Sequence, residues 1–192
     1  MLPLLILAAC SAPKPVHVDL NQLVTRAQLD QVDTPLMAAR LTGPGTFATL
    51  IPVGVNGEVV TWRSADEITL SLNQGVIVAT RGLGQDLMAA DVADTLRMID
   101  SETGNYTRIH TYLDGEYQTQ FHAFTCRNET RTADQIEIVE QRHQTLRIEE
   151  SCFAPEQRIA NTYWVDSGGT VWKSKQWVSP SLGYMETELL VR

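Results

Sequence analysis

Basic clusters, long apolar runs and metal-ligand residues are all scarce in this sequence, and each scarcity excludes something. Fifteen Lys and Arg stand against 23 Asp and Glu, a net charge of −8 with no basic stretch to offset it. That removes the electrostatic footprint of a nucleic-acid binder, which has to neutralise phosphates. It also disfavours holding a strongly anionic polymer by charge alone. After the N-terminal stretch no segment approaches the roughly 20 apolar residues of a membrane-spanning helix. Three cysteines and four histidines are few. Cys126 and Cys152 have no histidine pair beside them, so they do not make a zinc site. The Gly-x-Ser-x-Gly elbow is absent. "RGLGQDL" lacks the third glycine of a dinucleotide fingerprint and the Gly-Lys-Ser/Thr of a P-loop. It reads as a glycine-permitted bend with Asp86 capping the next segment of chain.

What the chain does have begins with "MLPLLILAACSAPKP". The apolar run Met1–Ala9 is too short to span a bilayer and shows no helical periodicity of polar positions, so neither a membrane helix nor a core helix fits. An export signal does. Leu7-Ala8-Ala9-Cys10 matches the lipobox, where small residues fit the peptidase and the thiol of Cys10 receives a diacylglyceryl group. No Lys or Arg precedes Cys10, so 1–9 reads as a truncated signal peptide, with the true start codon upstream. Residues 10–19, with Pro13 and Pro15, read as an acylated tether, and 20–192 as a single β-rich domain. Two or more acyl chains on Cys10 would anchor the protein firmly. Ser11 rather than Asp after the cysteine leans toward the outer membrane.

With Cys10 lipidated, Cys126 and Cys152 remain in a compartment that permits disulfides. A bridge between them would close a loop of roughly 25 residues, stabilising by about 3 kcal/mol in the chain-entropy model. The alternative is two separate buried thiols.

Along the domain, Leu23, Val24, Ala27 and Leu29 suggest one short helix within 21–32, with Asn21 as its cap. Strand signals follow. In "TFATLIPVGVNGEVVTWRS" the Asn56-Gly57 dipeptide marks a two-residue hairpin turn, which pairs Ile51 with Trp62 and Val53 with Val60. "TRIHTYLDGEYQTQFHAFTCR" turns at Asp114-Gly115, and "NTYWVDSGGTVWKSKQWV" turns through Ser167-Gly168-Gly169. "EITLSL", "GVIVATRG", "QIEIVE", "QTLRIEESC" and "METELLV" complete the set, with a second helix in "QDLMAADVADTLRMID". The expectation is mainly β: an antiparallel β-sandwich or barrel of roughly ten strands with one or two short helices.

Candidate chemistry is thin. With Leu113 opposite Glu116, His110 and His122 lie three rungs apart on opposite faces and cannot share a metal. His143 starts a polar strand and His17 lies in the tether, so no metal and no cofactor is expected. Glu149-Glu150 and Asp91/Asp94 are carboxylate pairs that could act on a sugar, but such pairs are common among 23 acidic residues. The aromatics carry more information. Trp164, Trp172, Trp177 and Tyr184 could stack on sugar rings, although Trp in a β-domain is mostly core. Regular pairing would put Trp172 and Trp177 on opposite faces.

"PVGVNGEVVTWRSAD", "GVIVATRGLGQDLMAAD", Cys126 with Cys152, "NTYWVDSGGTVWKSKQWVSPSLGYMETELL" and the lipobox occur in an order that resembles the YjbF-type lipoproteins. These include the GfcB proteins of group-four capsule operons. The resemblance runs from about Pro35 to the C-terminus. It implies a lipid-anchored accessory protein of exopolysaccharide or capsule production and export, outer-membrane and facing the periplasm. Its partners would be other polysaccharide-secretion proteins, among them an outer-membrane protein of the same operon. The resemblance carries over no catalytic residue. It keeps Cys10 as the lipidation site and Cys126–Cys152 as a disulfide. A non-enzymatic role through protein contacts is the expectation; the alternatives are a periplasmic module that binds polysaccharide and, third, a polysaccharide-modifying enzyme.

Overall fold

The computed structural model describes residues 19–43, 45–101 and 104–192. The signal peptide, the lipobox with Cys10, His17 and all of the tether except residue 19 lie outside the described residues.

Two helical turns come first, α1 (Leu20–Leu23) and α2 (Arg26–Leu29), where the sequence suggested one helix. The caps explain the split. Asp19, not Asn21, caps α1, and Thr25 forms a capping box with Gln28 that starts α2 afresh. Twelve strands come next: β1 (Leu36–Leu41), β2 (Phe47–Asn56), β3 (Val59–Ser64), β4 (Thr69–Asn73), β5 (Val76–Arg81) and β6 (Ala89–Ala90), then β7 (Tyr106–Leu113), β8 (Thr119–Ile138), β9 (Gln141–Ala154), β10 (Gln157–Val165), β11 (Val171–Ser179) and β12 (Gly183–Val191). One helix, α3 (Ala93–Asp100), sits between β6 and β7. The expectation of a mainly antiparallel β architecture holds.

All twelve strands belong to one antiparallel sheet in the order β5-β4-β3-β2-β1-β12-β11-β10-β9-β8-β7-β6. Its ends nearly meet. The Thr80 amide donates to the Leu87 carbonyl (2.9 Å), joining β5 to the segment that leads into β6. Where the β5 edge remains open, a side chain covers it. Gln176, fully buried on β11, accepts from the Ile77 amide (2.9 Å) and donates to the Gly75 carbonyl (2.8 Å). A glutamine amide supplies the donor and acceptor that a neighbouring strand would have supplied.

Inside the barrel, Leu50, Trp62, Leu70, Leu72, Ile77 and Met185 pack toward one end. Val76, Met98, Phe124, Ile148, Ile159, Tyr163 and the two cysteines pack toward the other. A smaller cluster of Leu29, Ala38, Ile138, Val139 and Leu190 lies on the outer face. Ala38 shows why: it stands between Met37 and Ala39, both in the first cluster, so strand alternation turns it outward. The long β8–β9 hairpin extends past β10 as an arm, and its tip reaches this outer cluster. Val139 and Glu140 form the tip with φ of 43° and 64°. A β-branched residue disfavours that conformation, and burial of the Val139 side chain against Leu29 and Ala38 offsets the cost.

Two hairpin registers differ from the sequence expectation. In β2–β3 the turn centres on Gly57-Glu58, with Asn56 opposite Val59 and Pro52 opposite Trp62, and Val53 forms a bulge. Gly57 has φ +59° and no neighbour in the turn shares it, so glycine occupies the first central position, as a type II′ turn requires, rather than the second. In β7–β8 the loop is five residues long, 114–118, because the Asp114 carboxylate accepts from the amides of Glu116 (2.9 Å) and Gln118 (2.8 Å). Leu113 therefore pairs with Thr119, and His110 stands directly opposite His122 on the same face. The third hairpin turns where expected: Asp166 accepts from the Gly168 and Thr170 amides (2.8 and 2.9 Å).

Candidate functional site

The β7–β8 hairpin inverts the usual pattern. Tyr106, Arg108, His110 and Tyr112 alternate into the barrel, while Thr107, Ile109 and Leu113 face out. Their outward partners on β8 are Thr125, Ala123 and Thr119, with Phe121 opposite Thr111. The outer face of this ribbon is thus uncharged, and Phe121 on it is 72% exposed.

The inward face builds a polar core. Arg108 is 1% exposed and Glu150 0%. They form a salt bridge of 2.9 Å. The Glu150 carboxylate also accepts from Thr95 (3.1 Å), Tyr106 (2.5 Å), Asn161 (2.5 Å) and Tyr163 (3.1 Å). Burial pushes this carboxyl up, but Arg108 and the hydrogen bonds outweigh it and hold it below the ordinary range. Burial and the Glu150 charge drive Tyr106 and Tyr163 far above a normal phenol, so both stay protonated donors. Thr95 ties α3 into this network. Arg131 fastens the other end of the helix by donating to the Met98 (2.7 Å) and Ile99 (3.0 Å) carbonyls.

Cys126 and Cys152 form a disulfide between directly paired positions of β8 and β9. With Glu150 they make the one group of three potential metal ligands among the described residues. Both sulfurs are spent in the disulfide, so no thiolate is offered. Glu149 and Glu150 do not act as a pair: Glu149 faces out, accepting from Thr130 (2.9 Å) and pairing with Arg147. Asp91 accepts from the Ala93 amide and Asp94 pairs with Arg97. Asp86 turns back rather than forward, accepting from the amides of Gly82 and Leu83 and from Thr80, and so closes the glycine bend that precedes it.

His110 is wholly buried. The Tyr112 hydroxyl donates to the Val178 carbonyl (2.7 Å), so the 3.1 Å contact with His110 Nδ1 has the histidine as donor, leaving it neutral with Nε2 unprotonated. Burial, with Arg108 and then His122 nearby, pushes His110 down to about 2. The unfolded chain takes up this proton near pH 6.5, so the contribution is complete above that pH and is lost as pH falls toward the folded value. Stability should fall by about 1.4 kcal/mol per pH unit below 6 from this group. His143, pushed down by burial, adds in the same direction. Urea midpoints between pH 6.5 and 5 should flatten in His110→Phe, which keeps the ring packing on Phe124.

Each candidate stacking ring has an intramolecular partner. Trp164 donates to Asp134 (2.8 Å) and lies under Arg147 and Lys173. Trp172 donates to Asp166 (2.8 Å) and stacks on His143 at 3.8 Å. Trp177 meets Tyr184 edge-on at 5.2 Å, and Lys175 covers Tyr184. Trp172 packs with the outer cluster and Trp177 with the second barrel cluster, both half-buried.

A cleft of about 480 Å³ opens where α3 enters the barrel. Leu96 and Ile99 of α3 face Ala133, Leu146, Ile148 and Val165 across it. The sequence reading missed this cleft and the polar core alike.

These features define a class: a nearly closed twelve-stranded antiparallel barrel, filled by side chains and plugged at one end by a short helix, with no helix among the described residues long and apolar enough to cross a membrane. Within it, the chain belongs to the family of group 4 capsule polysaccharide lipoproteins, gfcB and YjbF, whose model matches residues 16–190. It is also similar to the crystal structure of the hypothetical lipoprotein YmcC from Escherichia coli (K12), with a TM-score of 0.70 at 18% identity, over 90% of this chain and 93% of that one. At that identity the likeness speaks for the fold. No curated protein matches the chain in sequence.

Proposed function

We propose that this protein is an accessory factor of capsule or exopolysaccharide production or export. It is anchored in the outer membrane through acylated Cys10, faces the periplasm, and acts through protein contacts rather than catalysis. Membership of a family of capsule polysaccharide lipoproteins supports the placement in this pathway. The observation that supports protein contacts is the uncharged outer face of β7–β8, with Ile109, Leu113 and Phe121 exposed on a chain of net charge −8. Exposed apolar surface of this kind marks interaction sites. The face suits a partner with a flat apolar surface, such as another protein of the secretion machinery. Stacking of a glycan on Trp164, Trp172, Trp177 or Tyr184 would first require the covering side chains to move away.

The test is polymer output in a deletion strain complemented by the full chain, by Cys10→Ser, or by Phe121→Asp, at equal protein levels. Wild type should restore polymer, while the two variants should leave it near the deletion level. Full rescue by Cys10→Ser would remove the anchor from the reading, and full rescue by Phe121→Asp would remove the contact face. Unchanged polymer in the deletion strain would overturn the proposal.

A further inference from the structure

The cleft beside α3 combines an aliphatic floor with a polar rim. Its floor is aliphatic and continuous with the barrel interior: Ile148 is fully buried, and Leu146 and Val165 belong to the same cluster. Its volume falls in the range of small-molecule sites. Among the described residues no aromatic ring lines it, which removes the platform on which a bare sugar would stack.

The rim decides the head group. Arg131, the one cation among the described residues that line the cleft, has both terminal nitrogens engaged by the carbonyls at the end of α3. The Asp166 carboxylate is occupied by Trp172 and its own turn. Gln144 and Ser167 present neutral donors and acceptors at the rim, and Gln74, whose amide nitrogen donates to Glu58 (3.3 Å), adds its carbonyl oxygen, with the Asp100 carboxylate beside them. An anionic head would meet two carboxylates and no available cation. A hydroxylated, uncharged head would find amides and a hydroxyl.

We propose that the cleft between α3 and the β8–β9 arm binds an elongated aliphatic chain carrying an uncharged, hydroxylated head. The chain lies along Leu96, Ile99, Leu146 and Ile148, and the head remains at the Gln74, Gln144 and Ser167 rim. This site is separate from the outer face of β7–β8, and its test does not depend on polymer output.

Calorimetric titration of the folded protein with n-decyl-β-D-maltoside, kept below its micelle concentration, reads the site directly. Saturable one-to-one binding is expected, with none for maltose and weaker binding for decyl sulfate. Ala133 is exposed on the arm and lines the cleft opposite Leu146, so Ala133→Trp fills the space at little cost to folding. It should weaken decyl maltoside at least about tenfold, or 1.4 kcal/mol. Gln144→Arg at the exposed rim should shift preference toward decyl sulfate. Equal binding of maltose would make this a sugar site and overturn the proposal. So would failure of decyl maltoside to bind, sulfate binding as tight as maltoside in the wild type, or binding unchanged in both variants.

Discussion

Replacing Glu150 by alanine is expected to destabilise the protein by about 3–5 kcal/mol, the range for breaking a buried ion pair by removing one partner. Against a typical total of roughly 5–15 kcal/mol, that is a large fraction of the stability. The cost arises from what is left behind. Arg108, 1% exposed, would keep its charge in the barrel without a counterion. Thr95, Tyr106, Asn161 and Tyr163 would each lose their acceptor. Glu150→Gln restores one acceptor but no charge, so it should fall between wild type and alanine. Arg108→Met combined with Glu150→Gln should cost less than the two single changes added together, because the second change removes an already unpaired group. Urea unfolding of the four proteins measures this; additive costs would show that the pair is not coupled. The pH dependence provides a second check. The folded Glu150 titrates below its unfolded value, so its contribution is present above the ordinary carboxylate pKa and lost as pH falls through the folded one. That window opens lower than the one assigned to His110 and overlaps its acid part, so Glu150→Gln should leave the loss of stability between pH 6.5 and 5 in place and reduce the steeper loss below it.

The same residues show how far the sequence could be read. The β architecture was legible because alternation and turn dipeptides mark strands whatever their final register. Register was not, since it rests on details of single residues. Asp114 lengthens a loop through two backbone hydrogen bonds, and this moves His110 from three rungs away to a position facing His122. Gly57 takes the first rather than the second turn position, and the Val53 bulge then absorbs the offset. The polar core was hidden by the inversion of β7. A period-two strand with Ile109 and Leu113 on one face and Arg108 and His110 on the other reads as apolar-in. Closure of the barrel turns it the other way, and Glu150, forty-two positions away in sequence, pairs with Arg108. The partner that makes the inversion favourable is thus distant in sequence, and the local signal is faint. The tell-tale was that Tyr106, Arg108, His110 and Tyr112 share one face, a set that can bond its own polar tips. Gln176 is a similar case: nothing local distinguishes it from a surface glutamine, and its role is fixed by the open edge of β5 across the barrel.

Loss of the disulfide should have an effect of comparable size, expressed mainly through the unfolded chain. Cys126 and Cys152 are 26 positions apart. Closing a loop of this length restricts the denatured ensemble by about 3 kcal/mol in the chain-entropy model. The Cys126→Ala, Cys152→Ala double variant should therefore lower stability by about that much, with a small further cost for the lost sulfur packing. The enclosed loop is the outer half of β8 and nearly all of β9, including the arm that carries Ile138 and Val139 to the outer cluster and lines one side of the cleft. Unfolding of the variant should begin there, read as faster hydrogen exchange in the arm than in β2–β4. Access gives the complementary kinetic prediction. Thiol–disulfide exchange requires a thiolate to reach a sulfur, and both cysteines are 0% exposed beside the charged Glu150. The native protein should resist dithiothreitol for as long as it stays folded and should be reduced at a rate that follows its opening, accelerating with urea well before the global midpoint. Reduction in buffer as fast as that of a small-molecule disulfide would mean that the β8–β9 wall opens freely, and the arm could then not hold a fixed cleft against α3.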